Sequence, residues 1–363
     1  MTDLLVVGGG PAGLATAIRA RLAGLAAQVI ERSRPPIDKA CGEGLMPDAV
    51  ARLREIGVEP RGLPFRGIRY LDGDLVAEGH FPGPGGLGVR RTELHAALVR
   101  RAEEVGVELR WGIKAEGLTA EGVQTGQGTL AARWIVAADG LRSQVRTWAG
   151  LDGVPSPLRR FGVRRHFAVA PWSDCVEVYW GPECEAYVTP VAADEVGIAV
   201  LWSGRKAGFD QLLASFPTLK ERIAGVPVTS RDRGTGPLCQ RVQAVHKGRV
   251  ALVGDAAGYL DAITGEGLAV TLHESAALVE SILAGDLGRY AAAHRRINRL
   301  PSFMTSLVLG LERRPRLRRR AIRALAAEPA LFSRLLGIHA RTLPPRRLGV
   351  DGALRLAWRL VAA

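Results

Sequence analysis

At 363 residues the chain is long enough for one large α/β domain or two interleaved ones, and it can bury a sizeable core. Its 47% hydrophobic and 23% charged residues exclude a disordered or fibrous protein. The net charge of +13 is local: from Gly285 onward there are 17 Arg, no Lys and 4 acids, a surplus equal to that of the whole chain. A globally basic nucleic-acid surface is therefore disfavoured, and the tail alone needs an explanation.

Leu4-Leu5-Val6-Val7 is a short continuous apolar run, the pattern of a strand buried on both faces, and it ends directly in Gly8-Gly9-Gly10-Pro11-Ala12-Gly13. Leu14, Ile18, Leu22 and Leu25 then recur at helical spacing, Gly24 marks the last turn, and Ala27 to Ile30 reads as a second strand ending in Glu31. This is a βαβ unit carrying G-x-G-x-x-G. Its glycines let backbone approach a pyrophosphate, the helix start offers free N–H groups, and an acid 18 residues after Gly13 can accept ribose hydroxyls. Gly83 to Gly88 fits the same pattern but contains Pro84 and no helix follows it directly, so it reads as a loop.

Two later segments repeat the strand-to-acid transition. Trp134 to Ala138 delivers Asp139-Gly140, and Arg249 to Val253 delivers Gly254-Asp255. Thr264-Gly265-Glu266-Gly267 then opens a helix with Leu268, Leu272, Ala276, Val279 and Leu283 on one face, whose start would face an anionic ring edge or phosphate. Between the two acids the pattern changes to antiparallel signals over Phe161–Val169, Cys175–Trp180, Ala186–Val191 and Val196–Trp202, with related strands at Gly67–Leu71 and Leu75–Phe81. A helix is expected over Gly208–Ala224.

Cys41, Cys175, Cys184 and Cys239 show no CxxC pair and no metal-ligand spacing with the histidines, which implies free thiols in a reducing cytoplasm and no metal site. Asp3 and the glycines that follow do not read as a signal peptide. The apolar stretch at Leu307 to Leu311 is far short of the roughly 20 residues of a membrane helix. The residues from Ser302 to Leu325 nevertheless have helical spacing interleaved with arginines, a pattern suited to peripheral contact with an anionic membrane, to an acidic carrier or protein partner, or simply to a solvated face.

Taken in order, these motifs resemble the superfamily of FAD-dependent aromatic hydroxylases (class A flavin monooxygenases) and geranylgeranyl reductases, over roughly residues 3–290. The resemblance implies a Rossmann-like α/β FAD-binding domain in three parts (1–65, 90–155, 239–290), interleaved with an antiparallel substrate domain (66–89, 156–238); the helical Arg-rich tail (291–363) is read from its own spacing and charge. It implies that Gly8, Gly10, Pro11, Ala12, Gly13, Glu31 and Arg32 hold the ADP half of FAD, that Asp139 and Gly140 handle FAD and NAD(P)H, and that Gly254 and Asp255 contact the ribityl chain. Arg91, in Arg90-Arg91-Thr92-Glu93-Leu94, matches the family's arginine beside the flavin. Cys41, Gly42, Gly265, Glu266, Gly267 and Leu268 fall in the turns expected around the ring.

Departures are equally specific. Gly258 and Ala262 stand where many hydroxylases carry His and Pro, and Cys41-Gly42-Glu43-Gly44-Leu45 is similar to the C-G-x-G-L of prenyl reductases and of flavoproteins that mature protein-derived quinone cofactors. The W-x-W-x-I-P motif of flavin halogenases is absent. The expected activity is an NAD(P)H- and O2-using monooxygenase of a lipophilic phenolic or polyketide-like compound, with a double-bond reductase or a cofactor-maturing flavoprotein as alternatives. His166, in a sheet carrying Arg164, Arg165, Tyr179, Trp180 and Tyr187, is the candidate acid/base, with Glu43 as a second catalytic candidate.

Overall fold

The computed structural model describes residues 2–349; Met1 and the last stretch of the expected tail, 350–363, lie outside it. Thr2–Val7 pairs in parallel with Ala27–Glu31 on one side and with the end of Gly128–Ala137 on the other. Glu108–Trp111 and Val250–Leu252 extend this parallel sheet outward. The first half of Gly128–Ala137 leaves the parallel stack and pairs with Gly122–Thr125, which pairs in turn with Ala115–Leu118. Leu4, Leu5 and Val6 are fully buried, because helices Pro11–Leu22, Arg91–Glu104 and Gly267–Leu283 supply apolar residues to the same core. That explains why the first strand is a continuous apolar run rather than an alternating one.

A second sheet has seven strands in the spatial order Arg233–Thr235, Arg160–Phe167, Glu195–Ser203, Cys184–Ala192, Cys175–Gly181, Gly67–Asp72, Leu75–His80. Its alternation sorts residues by face. Tyr179, Ala186, Val188, Ile198, Val200 and Trp202 pack on the short helices Phe209–Leu213 and Pro217–Arg222. Val176, Val178, Trp180, Tyr187 and Leu201 face a cavity instead. The expected Gly208–Ala224 helix is thus two pieces, because Pro217 cannot continue the first and starts the second.

Gly86–Gly88 is a strand in a small sheet with Gly44–Leu45 and Leu63–Phe65, not only a loop. Its glycines serve close packing: a Cβ on Gly88 would lie 1.7 Å from the Pro190 carbonyl, and one on Gly86 2.2 Å from the Phe65 ring. Three tail helices, Leu287–Glu312, Pro315–Ala327 and Pro329–His339, cover the remaining side, the latter two packing on Leu75–His80. No helix among the described residues is long and apolar enough to cross a membrane.

Candidate active site

A cavity of about 1010 Å3 runs between the parallel sheet, the second sheet and the tail helices. At one end it is lined by Gly10, Pro11, Ala12, Arg32, Arg91, Asp139, Gly140 and Asp255, at its waist by Cys41, Gly42, Glu43, Gly265, Gly267 and Leu268, and beyond them by aromatic and aliphatic side chains. Most of the residues expected around a dinucleotide therefore share one space.

The Gly-rich turn is held from outside that space. A Cβ on Gly8 would lie 2.3 Å from the Ala138 carbonyl oxygen, and one on Gly13 1.9 Å from that of Gly8, so both glycines are required by packing. Glu31 accepts hydrogen bonds from the Gly9 and Ser33 N–H groups at 3.0 and 2.9 Å, which orients the turn while each oxygen keeps further acceptor capacity. His95, unassigned in the sequence reading, is buried beneath it: Nε2 bonds the Gly9 carbonyl at 2.9 Å and Nδ1 faces the Ile37 N–H at 3.4 Å, which places the ring proton on Nε2. Burial lowers its pKa, against the pull of the Gly9 bond, and keeps it neutral. A histidine on the otherwise apolar Leu94/Leu98 face of that helix was the available signal.

Several features fit a bound dinucleotide. A Cβ on Gly10 would meet nothing nearer than the Arg91 guanidinium at 4.0 Å, and one on Gly42 would meet nothing within 4 Å. Arg91 lines the cavity with its guanidinium beside the Gly10 position, where a positive charge suits a pyrophosphate, and its Nε has no hydrogen-bond partner. Asp255 opens to the cavity with protein on its other sides; that desolvation raises its carboxyl, with Arg91 and Lys39 pulling the other way. Gly254 must be glycine, since φ is 62° and a Cβ would sit 2.8 Å from Ala12 Cβ. Its N–H donates to buried Glu274, itself held by Asn298 and His294.

Asp139 borders the cavity, and its carboxylate also accepts from Ser143 Oγ at 2.5 Å and the Gln144 N–H at 2.8 Å at the start of the helix Gln144–Trp148. Two expectations, those for Glu266 and His166, are corrected. Glu266 does not line the cavity: it is buried against His339 of the tail, 3.3 Å away, because the last helix folds back over the turn and His339 Nε2 bonds the Thr264 carbonyl. His166 does not reach the cavity either. It lies on the cavity-facing row with Gly162 and Arg164, but Glu43 roofs it.

Glu43 is the hub of this region. It has a positive φ of 60°, and its carboxylate accepts from the Arg91 backbone N–H at 2.7 Å and from His166 Nε2 at 2.5 Å, with Arg164 Nε 3.7 Å away. Arg164 Nη1 and Ser230 Oγ meet His166 Nδ1 at 2.9 and 2.8 Å, which leaves the proton on Nε2 for Glu43. Arg164 also pairs with Asp38, whose carboxyl is raised by burial but held below its usual range overall by Arg233 and Arg164. Gly197 makes room: a Cβ there would be 3.0 Å from Glu43 Oε2. Cys41 accepts from the Glu43 N–H at 3.4 Å, and burial raises its thiol, so it stays protonated.

Arg164, Trp180 and Tyr187 line the cavity, whereas Arg165 faces Asp210 and Asp232 on the opposite face and Tyr179 bonds Glu177 there. Trp180 Nε1 is a buried donor without a partner at the cavity wall. Below that wall, fully buried Arg160 meets Glu185, Asp261 at 2.9 Å and Glu312 at 3.3 Å, joining sheet, cofactor-side loop and tail. Burial, reinforced by Asp261 and Glu312 and opposed by Arg160, pushes Glu185 up to about 8. Away from the cavity, Glu78, His80 and Cys175 bring ligand-type atoms within 4.8 Å of one another, a grouping the sequence spacing does not reveal. His80 and Glu78 share a 2.9 Å hydrogen bond there, and burial pushes the Cys175 thiol up to about 12.

Comparison with known proteins agrees with this geometry. Residues 1–200 match the family described as FAD binding domain. The menaquinone reductase of Mycobacterium tuberculosis is 28% identical over 348 residues, 83% of this chain and 84% of that protein. YetM of Bacillus subtilis, provisionally named an FAD-dependent monooxygenase, is 26% identical over 78% of this chain and 85% of its own. The crystal structure of a flavoprotein/dehydrogenase from Cytophaga hutchinsonii has the same fold, with a TM-score of 0.83 at 17% identity over 99% of this chain and 98% of that one. The chain belongs to the FAD binding domain family and is an FAD-dependent oxidoreductase.

Proposed function

We propose that the chain is a monooxygenase that uses NAD(P)H and O2 to hydroxylate a lipophilic aromatic ring bearing a long apolar chain. The observation that carries this reading is the continuity of the cavity, from Arg91 and Gly10 through an aromatic section at Tyr70, Trp180 and Tyr187 into an aliphatic section built by Leu300, Met304, Val308 and Leu325. A ring fits the first section and an alkyl or polyketide-derived chain the second. Bound FAD supplies the two-electron chemistry, with one oxygen atom entering the product and the other leaving as water.

The protein's own contributions follow from the groups described. Gly10, the helix start and Arg91 would bind the pyrophosphate, and Asp255 the ribityl chain. Glu43, fixed by His166, holds the Cys41–Gly44 turn and the start of the Arg91 helix in register at the waist. The Trp180 ring, held by Tyr70 and the Arg318 guanidinium, offers the substrate ring an aromatic wall to pack against. The apolar walls of the inner section would keep water away from the substrate ring.

Double-bond reduction of a prenyl chain is the second reading, favoured by the likeness to menaquinone reductase across most of both chains. An anaerobic absorbance titration of FAD-loaded protein with NADPH and NADH, followed by a phenol bearing an unsaturated prenyl chain and only then by air, tests the choice. Flavin bleaching by a nicotinamide and product formation only after air support the monooxygenase. Product formation without air supports the reductase.

A further inference from the structure

We infer that the tail helices dock the enzyme on an anionic lipid bilayer, with the apolar mouth of the cavity against the membrane. This deepens the reading above, because it rests on a lipophilic substrate. Phe303, Leu307 and Leu317 are 62%, 48% and 37% exposed, and all three also line the cavity. A side chain that faces both bulk water and the cavity marks its opening. Five other large hydrophobics are comparably exposed among the described residues, and none of them lines the cavity.

Charge surrounds this mouth on the same helix faces. Arg299 and Arg296 lie four and seven positions before Phe303 and share its side of the helix. Arg314 and Arg320 lie three positions either side of Leu317, with Arg316 beside it, and all five of these arginines are exposed. The only acid between residues 295 and 325 is Glu312, which is buried against Arg160. The helix docks on the protein by another face, where Arg318 pairs with Asp72 and lies over the Trp180 ring, and Arg319 pairs with Asp74. Apolar side chains ringed by exposed arginines match an interface of acyl chains and anionic headgroups. A lipid substrate could then pass from bilayer to cavity without crossing water.

The test is cosedimentation of full-length FAD-loaded protein with vesicles of pure phosphatidylcholine or of one-third phosphatidylglycerol in phosphatidylcholine. The expected result is roughly tenfold or greater preference for the anionic vesicles at low salt, falling steeply as salt rises. The triple variant Arg314→Gln, Arg316→Gln, Arg320→Gln should lose that preference while keeping its FAD content and unfolding midpoint. Phe303→Ser should weaken binding at every salt concentration. Equal binding to both vesicles, no binding, or a triple variant that binds like the parent would overturn the inference. Vesicle binding requires no turnover, so a protein that binds vesicles yet hydroxylates nothing retains the docking surface and loses only the proposed activity.

Discussion

Glu43 and His166 stand 123 residues apart in the chain and share a 2.5 Å hydrogen bond in the protein interior. The bond joins the turn at the cavity waist to the second sheet, and the same carboxylate accepts from the first turn of the Arg91 helix. One side chain therefore sets the relative position of three elements that surround the expected cofactor.

Removing that carboxylate should be costly. Glu43→Ala leaves the Arg91 N–H and His166 Nε2 without their acceptor and takes a carboxylate away from buried Arg164, and we expect a loss of about 3–5 kcal/mol of stability. Glu43→Gln retains an acceptor for the Arg91 N–H and should lose less than half as much. Thermal unfolding of the FAD-free proteins measures both, and equal midpoints for Glu43→Ala and the parent would contradict the hub.

Arg91 separates cofactor binding from folding. Its backbone N–H makes the bond to Glu43, while its side-chain Nε lacks a partner. Arg91→Ala should therefore leave the FAD-free midpoint nearly unchanged and weaken FAD by about 1.5–3 kcal/mol, the range for hydrogen bonds to charged groups. A fluorescence titration with FAD reads the affinity.

Two glycines of one motif should behave oppositely. Gly10→Ala places its methyl group in open cavity at an ordinary φ of −77°, so the fold should tolerate it and FAD affinity should fall. Gly13→Ala drives a methyl group to 1.9 Å from the Gly8 carbonyl oxygen and should destabilise the protein itself by about 1–3 kcal/mol or more. Urea unfolding with and without FAD distinguishes the two patterns.

The Arg160 cluster predicts a pH dependence. Glu185 is pushed up to about 8 from an ordinary 4.5, so between these values the folded protein holds a proton that the unfolded chain releases. The contribution of this site is fully present below pH 4.5, falls as pH rises towards 8, and is constant above. Glu185→Gln removes that proton and keeps a neutral partner for Arg160. Its stability relative to the parent should improve steadily from about pH 5 to 8 and then level off. A difference independent of pH would refute the assignment.

Legibility in the sequence followed distance along the chain. The strand, glycines and helix of residues 4–31 are local, and so are six strands of the second sheet, which periodicity located; the exposed edge strand Arg233–Thr235 carries no apolar pattern and was not expected. Asp139 carried a local signal that was open to another reading: Ser143 and the residues after it form a helix start, which the acid caps. Long-range pairings had no such signal. His339 reaching Glu266, Arg318 reaching Asp72 and Glu43 covering His166 depend on how the tail and the second sheet close over the cavity, and no spacing in the sequence encodes them.

The most direct test of the proposed activity is the mass of the product formed from a phenol bearing a long unsaturated prenyl chain with FAD-loaded protein, NAD(P)H and 18O2. The account predicts one 18O atom in the product, bound to the ring. A product that gains two hydrogens and no 18O, or unchanged phenol, would contradict it.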